Sequence, residues 1–423
     1  MKATVSEPET WKRVIDIEVP QEEIEGAFNQ KLKKYKNEIK MPGFRPGKVP
    51  ESLIKQRFGA SIRAEVVEEF VQKSFREACE TNQIFPVSQP KVNSIKDEEN
   101  APLVFQIETQ VDPKIEIKGY DKLKVKATPK KIKDSDVDQA IEELRERFAE
   151  FKDVDRPAKK GDYIRLEYQK IIIDGQERTD LKNPDYPVEL GGEGRIKDFD
   201  KGLFGHSAGE SVDLNIKFPK DYPDVDAAGK NAEFTIKINS VQEKSLPEIN
   251  DEFLKKVGQI ESDEALREQI FKNLEQEEQN KAKGDAYNKA IDILIKENPF
   301  EVPPVRIEQF LDYMQQETQK YQRPGMPAMT RQEIEEQYHE TAIRSIKRQR
   351  IIDYVASKEK IKPTKEEVDN EIQKVAEMYN QQFENIKQVF RQNGTTLRIR
   401  DDIKERKTLD YLIGEWEPPT KSE

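Results

Sequence analysis

Ile15, Ile17 and Val19 alternate with Asp16 and Glu18, the period of a half-buried strand, and Pro20 ends the run. The period then changes. Ile24, Phe28, Leu32, Tyr35 and Ile39 recur at helical spacing. Pro50 opens a short helix, and Val66, Val67, Phe70, Phe75 and Ala78 mark a longer one. Strand patterns return over 87–95 and 103–111. This predicts a small α+β domain over 1–113. Extended chain follows over 115–132. Asp134 or Ser135 then caps a helix with Val137, Ile141, Leu144 and Phe148 on one stripe. That stripe must lie on another helix and none follows nearby, so a long-range partner in the C-terminal helical block is expected.

Between 151 and 245 short apolar runs alternate with polar residues and glycines, and Asp174-Gly175 reads as a hairpin turn. From Leu246 the pattern is helical. One helix runs from Leu266, Ile270 and Leu274 to Ile291, Leu294 and Ile295. A second begins with Ile307, Phe310, Leu311 and Met314. Pro324, Gly325 and Pro327 mark a turn between arms. Thr364 and Glu367 form a capping box for a helix that Asn393-Gly394 ends, and Ile403, Leu409 and Leu412 suggest a last one. The expected fold class is α+β multidomain and elongated. Its parts are 1–113, a strand-and-helix linker over 114–150, a β-domain over 151–245, and helices over 246–423.

The chain is 35% hydrophobic, with a mean hydropathy of −0.91. The long apolar periodicities argue for a helix-rich protein with much surface rather than disorder. A net charge of −11 argues against a generic nucleic-acid binder, so any polyanion contact must be local. The stretch 31–63 supplies one: Lys31, Lys33, Lys34, Lys36, Lys40, Arg45, Lys48, Lys55, Arg57 and Arg63 there face only Glu38 and Glu51. One cysteine, Cys79, allows no intrachain disulfide. No early apolar run resembles a signal peptide and no segment is apolar enough to span a bilayer, so a cytoplasmic location and no membrane partner are expected. Two distant histidines, His206 and His339, make a metal site unexpected. No cofactor is expected: there is no phosphate loop and no nucleophile beside a base.

Residues 41–50 read M-P-G-F-R-P-G-K-V-P. Prolines and glycines fix this backbone, yet it carries Phe44 between glycine and Arg45, with Lys48 close by. A loop that only reverses the chain needs neither an aromatic ring nor a guanidinium. By residue type alone, Phe44 could equally tuck into its own domain. In the ordered string, Gly43, Phe44, Arg45, Gly47, Lys48 and Pro50 resemble the ribosome-docking signature of the trigger factor family, G-F-R-x-G-K-x-P. Many members have Lys where this chain has Pro46, which removes a cation and stiffens the turn.

The middle stretch contains G-E-G-R-I-K-D-F-D-K-G-L-F-G-H-S-A-G-E, followed by Phe218-Pro219 and Tyr222. It resembles the FKBP-type prolyl isomerases. By residue type these aromatics are ordinary core; the resemblance implies that Tyr168, Tyr186, Ile196, Phe199, Tyr222 and Phe234 line an isomerase pocket. Ile196-Lys197-Asp198-Phe199 departs from the usual Val/Ile-Pro-Gly-Phe. Arg178-Thr179 stands where Phe-Asp/Glu is usual, so one aromatic wall is missing and activity is expected to be present but weakened. His206 is expected to make a structural hydrogen bond, since bond rotation needs no base.

The order of parts resembles trigger factors over nearly the whole chain. The resemblance implies a ribosome-associated chaperone that docks near the exit tunnel on ribosomal protein and rRNA. It would hold unfolded nascent polypeptides and assist folding and export, with an accessory isomerase. It also implies that 114–150 and 246–423 form one discontinuous helical domain with arm-like helices, and it allows a weak homodimer off the ribosome. Two other readings are an isomerase acting on free clients and an envelope-type helical-cradle chaperone.

Overall fold

The fold is described from a computed structural model covering residues 1–423 except 40, 43, 45, 46, 99, 124, 126, 180–182, 193–195, 221, 223–226, 322–327 and 415–423. The chain forms two compact units, Met1–Thr128 with Ala282–Glu423, and Pro129–Lys281.

The first unit begins with β1 (Lys2–Glu9), β2 (Lys12–Val19), α1 (Gln21–Glu38), α2 (Glu51–Thr81), β3 (Lys91–Lys96) and β4 (Leu103–Gln110). The strands make an antiparallel sheet in the order β1-β2-β4-β3. Ile15 pairs with Ile107 and Ile17 with Phe105, so both strands turn their apolar side to one face. There they meet Ile24 of α1 and Val66, Ala78 and Cys79 of α2. β1 has only Ala3 and Val5 facing this core, too few to show as an alternation.

The expected short and long helices after Pro50 are one continuous helix of 31 residues. Ile54, Phe58, Ile62 and Val66 carry one stripe straight through, and a lone Gly59 costs too little to break it.

In the second unit, α3 (Asp134–Arg147) is capped by Asp136, which accepts from the Lys133 backbone N–H at 2.9 Å, rather than by Asp134 or Ser135. Leu144 of α3 packs with Phe253 and Leu254 of α5 (Asp251–Gly258) and Leu266 of α6 (Asp263–Glu297).

The β-domain of this unit comprises β5 (Glu150–Asp153), β6 (Asp162–Ile173), β7 (Gln176–Glu177), β8 (Tyr186–Glu189), α4 (Lys197–Leu203), β9 (Ser211–Lys217) and β10 (Asn231–Ser245). β10 is the hub, pairing with β5, β6 and β9, while β7 and β8 flank β6. Asp174 and Gly175 both have positive φ, 53° and 82°, as a two-residue hairpin requires.

The last part of α6 returns to the first unit with α7 (Pro304–Lys320), α8 (Arg331–Lys358), α9 (Lys365–Met378), α10 (Phe383–Gln392) and α11 (Thr395–Ile413). Ile291, Leu294, Ile351, Val355, Leu409 and Leu412 form their core, and Ile117 of the extended linker packs into it. Thr364 and Glu367 cap α9 reciprocally, at 2.7 and 3.2 Å. The single helix expected between Thr364 and Asn393 is two. Asn380 takes a left-handed conformation (φ 50°), which closes α9 as asparagine can without glycine.

Candidate functional site

The loop between α1 and α2 is held from below. Met41 and Val49 are buried with Leu32, Ile54 and Ile62, and Lys36 pairs with Glu51 at 2.9 Å across the loop's base. Gly47 has φ 80°, which a side chain would strain, and its N–H bonds the Lys36 carbonyl at 3.2 Å. Between these anchors Phe44 stands outward, 41% exposed, and Lys48 is exposed beside it. Gly43 and Arg45 lie outside the described residues.

The surrounding cations divide into two groups. Lys31 pairs with Glu65 and Glu69 at 3.0 and 2.8 Å, and Arg63 pairs with Asp97. These charges knit α1, α2 and the β3–β4 turn together. Lys33, Lys34 and Arg57 are exposed and, among the described residues, make no ion pair. Tyr35 donates to Glu65. This bond lowers the Glu65 pKa and raises that of Tyr35, so the clasp holds at neutral pH.

In the β-domain an aromatic cluster lies where β6, β10 and α4 meet. Tyr168 is 5.7 Å from Tyr186, 6.4 Å from Phe199 and 6.0 Å from Phe234, centroid to centroid. Phe199 and Phe234 meet edge-on at 5.7 Å. Tyr222 lies 4.7 Å from Phe218, itself 6.4 Å from Phe234. Ile196 packs against the same core. All six residues expected from the sequence are thus in one neighbourhood. Phe218 completes the link between Tyr222 and Phe234. It continues the inward series Val212, Leu214, Ile216, and that phase was the signal for it in the sequence.

Local geometry aims these rings. Thr235 pairs with Lys170 and Ile236 with Tyr168, leaving Gln169 as an extra residue in β6. This bulge keeps Tyr168 inward and restores Ile171 and Ile173 to the same side. Helix α4, which carries Phe199, lies tight on β9: a Cβ at Gly202 would sit 2.3 Å from Leu214 Cδ2. Asp200, buried, accepts from the Gly191 N–H at 2.9 Å and ties the helix to the preceding turn.

Asp162 anchors the base of the domain. Burial pushes its pKa up. Two bonds from Arg156, at 2.6 and 3.0 Å, and one from the Lys159 N–H at 2.9 Å overcome this and hold it below the ordinary carboxylate range. The pair therefore stabilises the fold fully above the unfolded pKa near about 3.9, and the contribution is lost as pH falls through the folded value. Arg156→Ala is expected to lower the unfolding midpoint of the β-domain by several degrees and to move its acid unfolding to higher pH, read by circular dichroism during pH titration.

Three family descriptions match the chain: "Bacterial trigger factor protein (TF)" over residues 1–144, "FKBP-type peptidyl-prolyl cis-trans isomerase" over 154–239, and "Bacterial trigger factor protein (TF) C-terminus" over 263–414. The trigger factor of Marinobacter nauticus is 32% identical over 98% of this chain and 95% of its own. That of Alkalilimnicola ehrlichii is 31% identical over 98% and 92%. The chain belongs to the trigger factor family. A solved structure described as "Promiscuous Substrate Recognition in Folding and Assembly Activities of the Trigger Factor Chaperone" shares the fold, with TM-score 0.54 at 20% identity, covering 99% of this chain and 100% of the other.

As a trigger factor family member, the chain is a ribosome-associated chaperone carrying an FKBP-type domain. His206, in the glycine-rich turn after α4, bonds Glu210 through Nδ1 at 2.6 Å and is half-exposed. The helices leave Tyr313, Tyr321, Met378, Tyr379, Val389 and Leu397 exposed. Met329 is half-buried near the arm turn, and Met326 lies outside the described residues. Among those residues no helix is long and apolar enough to cross a membrane, and no group of three His, Cys, Asp or Glu side chains could hold a metal ion.

Proposed function

We propose that this chain docks on the ribosome near the nascent-chain exit through Gly43, Phe44, Arg45, Gly47 and Lys48, touching ribosomal protein and rRNA. From there it holds unfolded nascent chains in the cytoplasm and assists their folding and export. The observation that carries the reading is Phe44: an exposed ring on a clamped loop, beside exposed lysines, in a chain that is otherwise acidic. Aromatic and cationic groups together suit a surface where RNA and protein meet.

The pocket of Tyr168, Tyr186, Ile196, Phe199, Tyr222 and Phe234 turns over prolyl peptides. Rotation about the peptide bond meets a barrier of about 18–20 kcal/mol set by amide resonance. An apolar pocket lowers it by fitting the twisted amide better than the planar one. Arg178 and Thr179, in place of an aromatic and an acid, leave this activity weak. The segments 114–150 and 246–423 act as one discontinuous helical domain; within the second unit Leu144 packs against Phe253 and Leu266, and within the first Ile117 packs against Ile351 and Leu409. Exposed apolar side chains scattered among charges supply weak, promiscuous contacts for clients.

A photoreactive phenylalanine analogue replacing Phe44 tests the docking. It is expected to crosslink to a ribosomal component on purified ribosomes. The same analogue replacing the exposed Tyr313 of α7 is expected not to. Equal crosslinking from both positions, or none from position 44, overturns the assignment.

A further inference from the structure

Tyr186 is the least enclosed wall of the aromatic pocket. It is 43% exposed and opens β8, a strand of four residues that, among the described residues, pairs with β6 alone. A side chain at the end of so short a strand turns freely unless something holds it. A wall that turns freely must be ordered each time a peptide binds, which weakens binding. Yet the Tyr186 ring lies 5.7 Å from that of Tyr168.

The three residues before β8 are each tied down. The Asn183 carbonyl accepts from the Tyr168 N–H at 2.9 Å, and its Oδ1 accepts from the Asp185 N–H at 3.0 Å. The Pro184 carbonyl accepts from Asn239 Nδ2 at 2.9 Å. The Asp185 carboxylate accepts from Arg165 Nε at 2.7 Å and from Arg165 Nη2 as well. Tyr186 comes next in the chain.

Local geometry delivers both donors. At this height β6 lies between β10 and β8: Arg165 pairs with Ser240 on one side and Pro187 on the other. Ile164 and Leu166 are buried, so Arg165 between them projects from the outer face. There its planar guanidinium meets the carboxylate with two parallel bonds. On β10, Ile238 pairs with Leu166 and Ser240 with Arg165, which leaves Asn239 as an extra residue. Such a bulge re-aims its side chain, and this one carries the Asn239 amide over β6 to the Pro184 carbonyl.

The stability of the domain gains little from these ties. Arg165 and Asp185 are 44% and 48% exposed, and exposed ion pairs contribute little. Asn239 is exposed too. What the ties share is their target, the residues leading directly into one pocket wall.

We propose that Asn239 and Arg165 are positioning residues for the prolyl isomerase pocket: by holding Pro184 and Asp185 they fix the Tyr186 ring against Tyr168 before a peptide arrives. The proposal rests on the reading that this pocket turns over prolyl peptides, and adds two residues that lie outside it.

The test is the double variant Asn239→Ala/Arg165→Ala of the full chain. It is expected to lower kcat/KM on a short prolyl peptide about threefold to tenfold, the scale of a misplaced wall, while the melting midpoint barely moves. In a Tyr186→Ala background the same two changes are expected to cost nothing further, because the ring they position is gone. A general loosening of the domain would instead cost the same in both backgrounds. Nuclear Overhauser contacts between the Tyr186 and Tyr168 rings, read in the full chain with labelled tyrosine, follow the positioning without turnover. They are expected in the wild type and should be lost in the double variant. Undiminished turnover in the double variant, equal losses with and without Tyr186, or ring contacts untouched by the two changes overturns the proposal alone. A wild-type chain without turnover overturns the isomerase reading, and the proposal with it.

Discussion

Replacing Phe199 and Tyr222 together by alanine is expected to lower kcat/KM on a short prolyl peptide by about tenfold to a hundredfold. The loss corresponds to roughly 1.4–2.8 kcal/mol of transition-state stabilisation, what two walls of an apolar pocket can supply. Phe199 is buried against Phe234 and Tyr168. Its truncation alone costs about 3–5 kcal/mol where the core cannot collapse, so a melting curve must accompany the assay. Tyr222, half-buried and touching Phe218, provides the cleaner single variant. It should lose activity with little change in midpoint. The reverse change is equally informative. Arg178→Phe with Thr179→Asp restores the missing wall and is expected to raise turnover several-fold. An unchanged rate in the double alanine variant would place the reaction elsewhere on the chain.

Much of this arrangement could be read from residue order. The alternation through Ile15, Ile17 and Val19 placed β2. The spacing of Val137, Ile141 and Leu144 implies a distant helix, and Leu144 lies against Phe253 and Leu266. Asp174-Gly175 marked its hairpin because few other pairs tolerate two positive φ angles.

The departures have separate causes. β1 pairs through its backbone with β2, and backbone bonding leaves no hydrophobic signature when the outer side chains are solvated. The α9–α10 break rests on the left-handed conformation of Asn380, and asparagine marks a helix end less firmly than glycine does. α2 is continuous because the stripe of Ile54, Phe58, Ile62 and Val66 bridges the two helices expected after Pro50, and a single glycine within a strong apolar stripe is tolerated. The roles of the basic residues were legible only in part. Sequence counts Lys31, Lys36 and Arg63 with the rest, whereas the fold spends them on Glu65, Glu69, Glu51 and Asp97.

That division sharpens the expectation for docking. Phe44, Lys48, Lys33, Lys34 and Arg57 face outward, so the loss of the loop's ring and cations should abolish binding, whereas the loss of Lys31 should loosen α1 against α2 and leave the tip intact. Each phosphate contact released makes binding weaker and less dependent on salt.

The most direct measurement is co-sedimentation of the chain with vacant ribosomes at modest salt, comparing wild type with Phe44→Ala/Arg45→Ala/Lys48→Ala. Wild type is expected in the ribosomal pellet and the triple variant in the supernatant, with unchanged circular dichroism. A wild-type chain that stays in the supernatant, or a triple variant that pellets equally well, would contradict the docking role given to this loop.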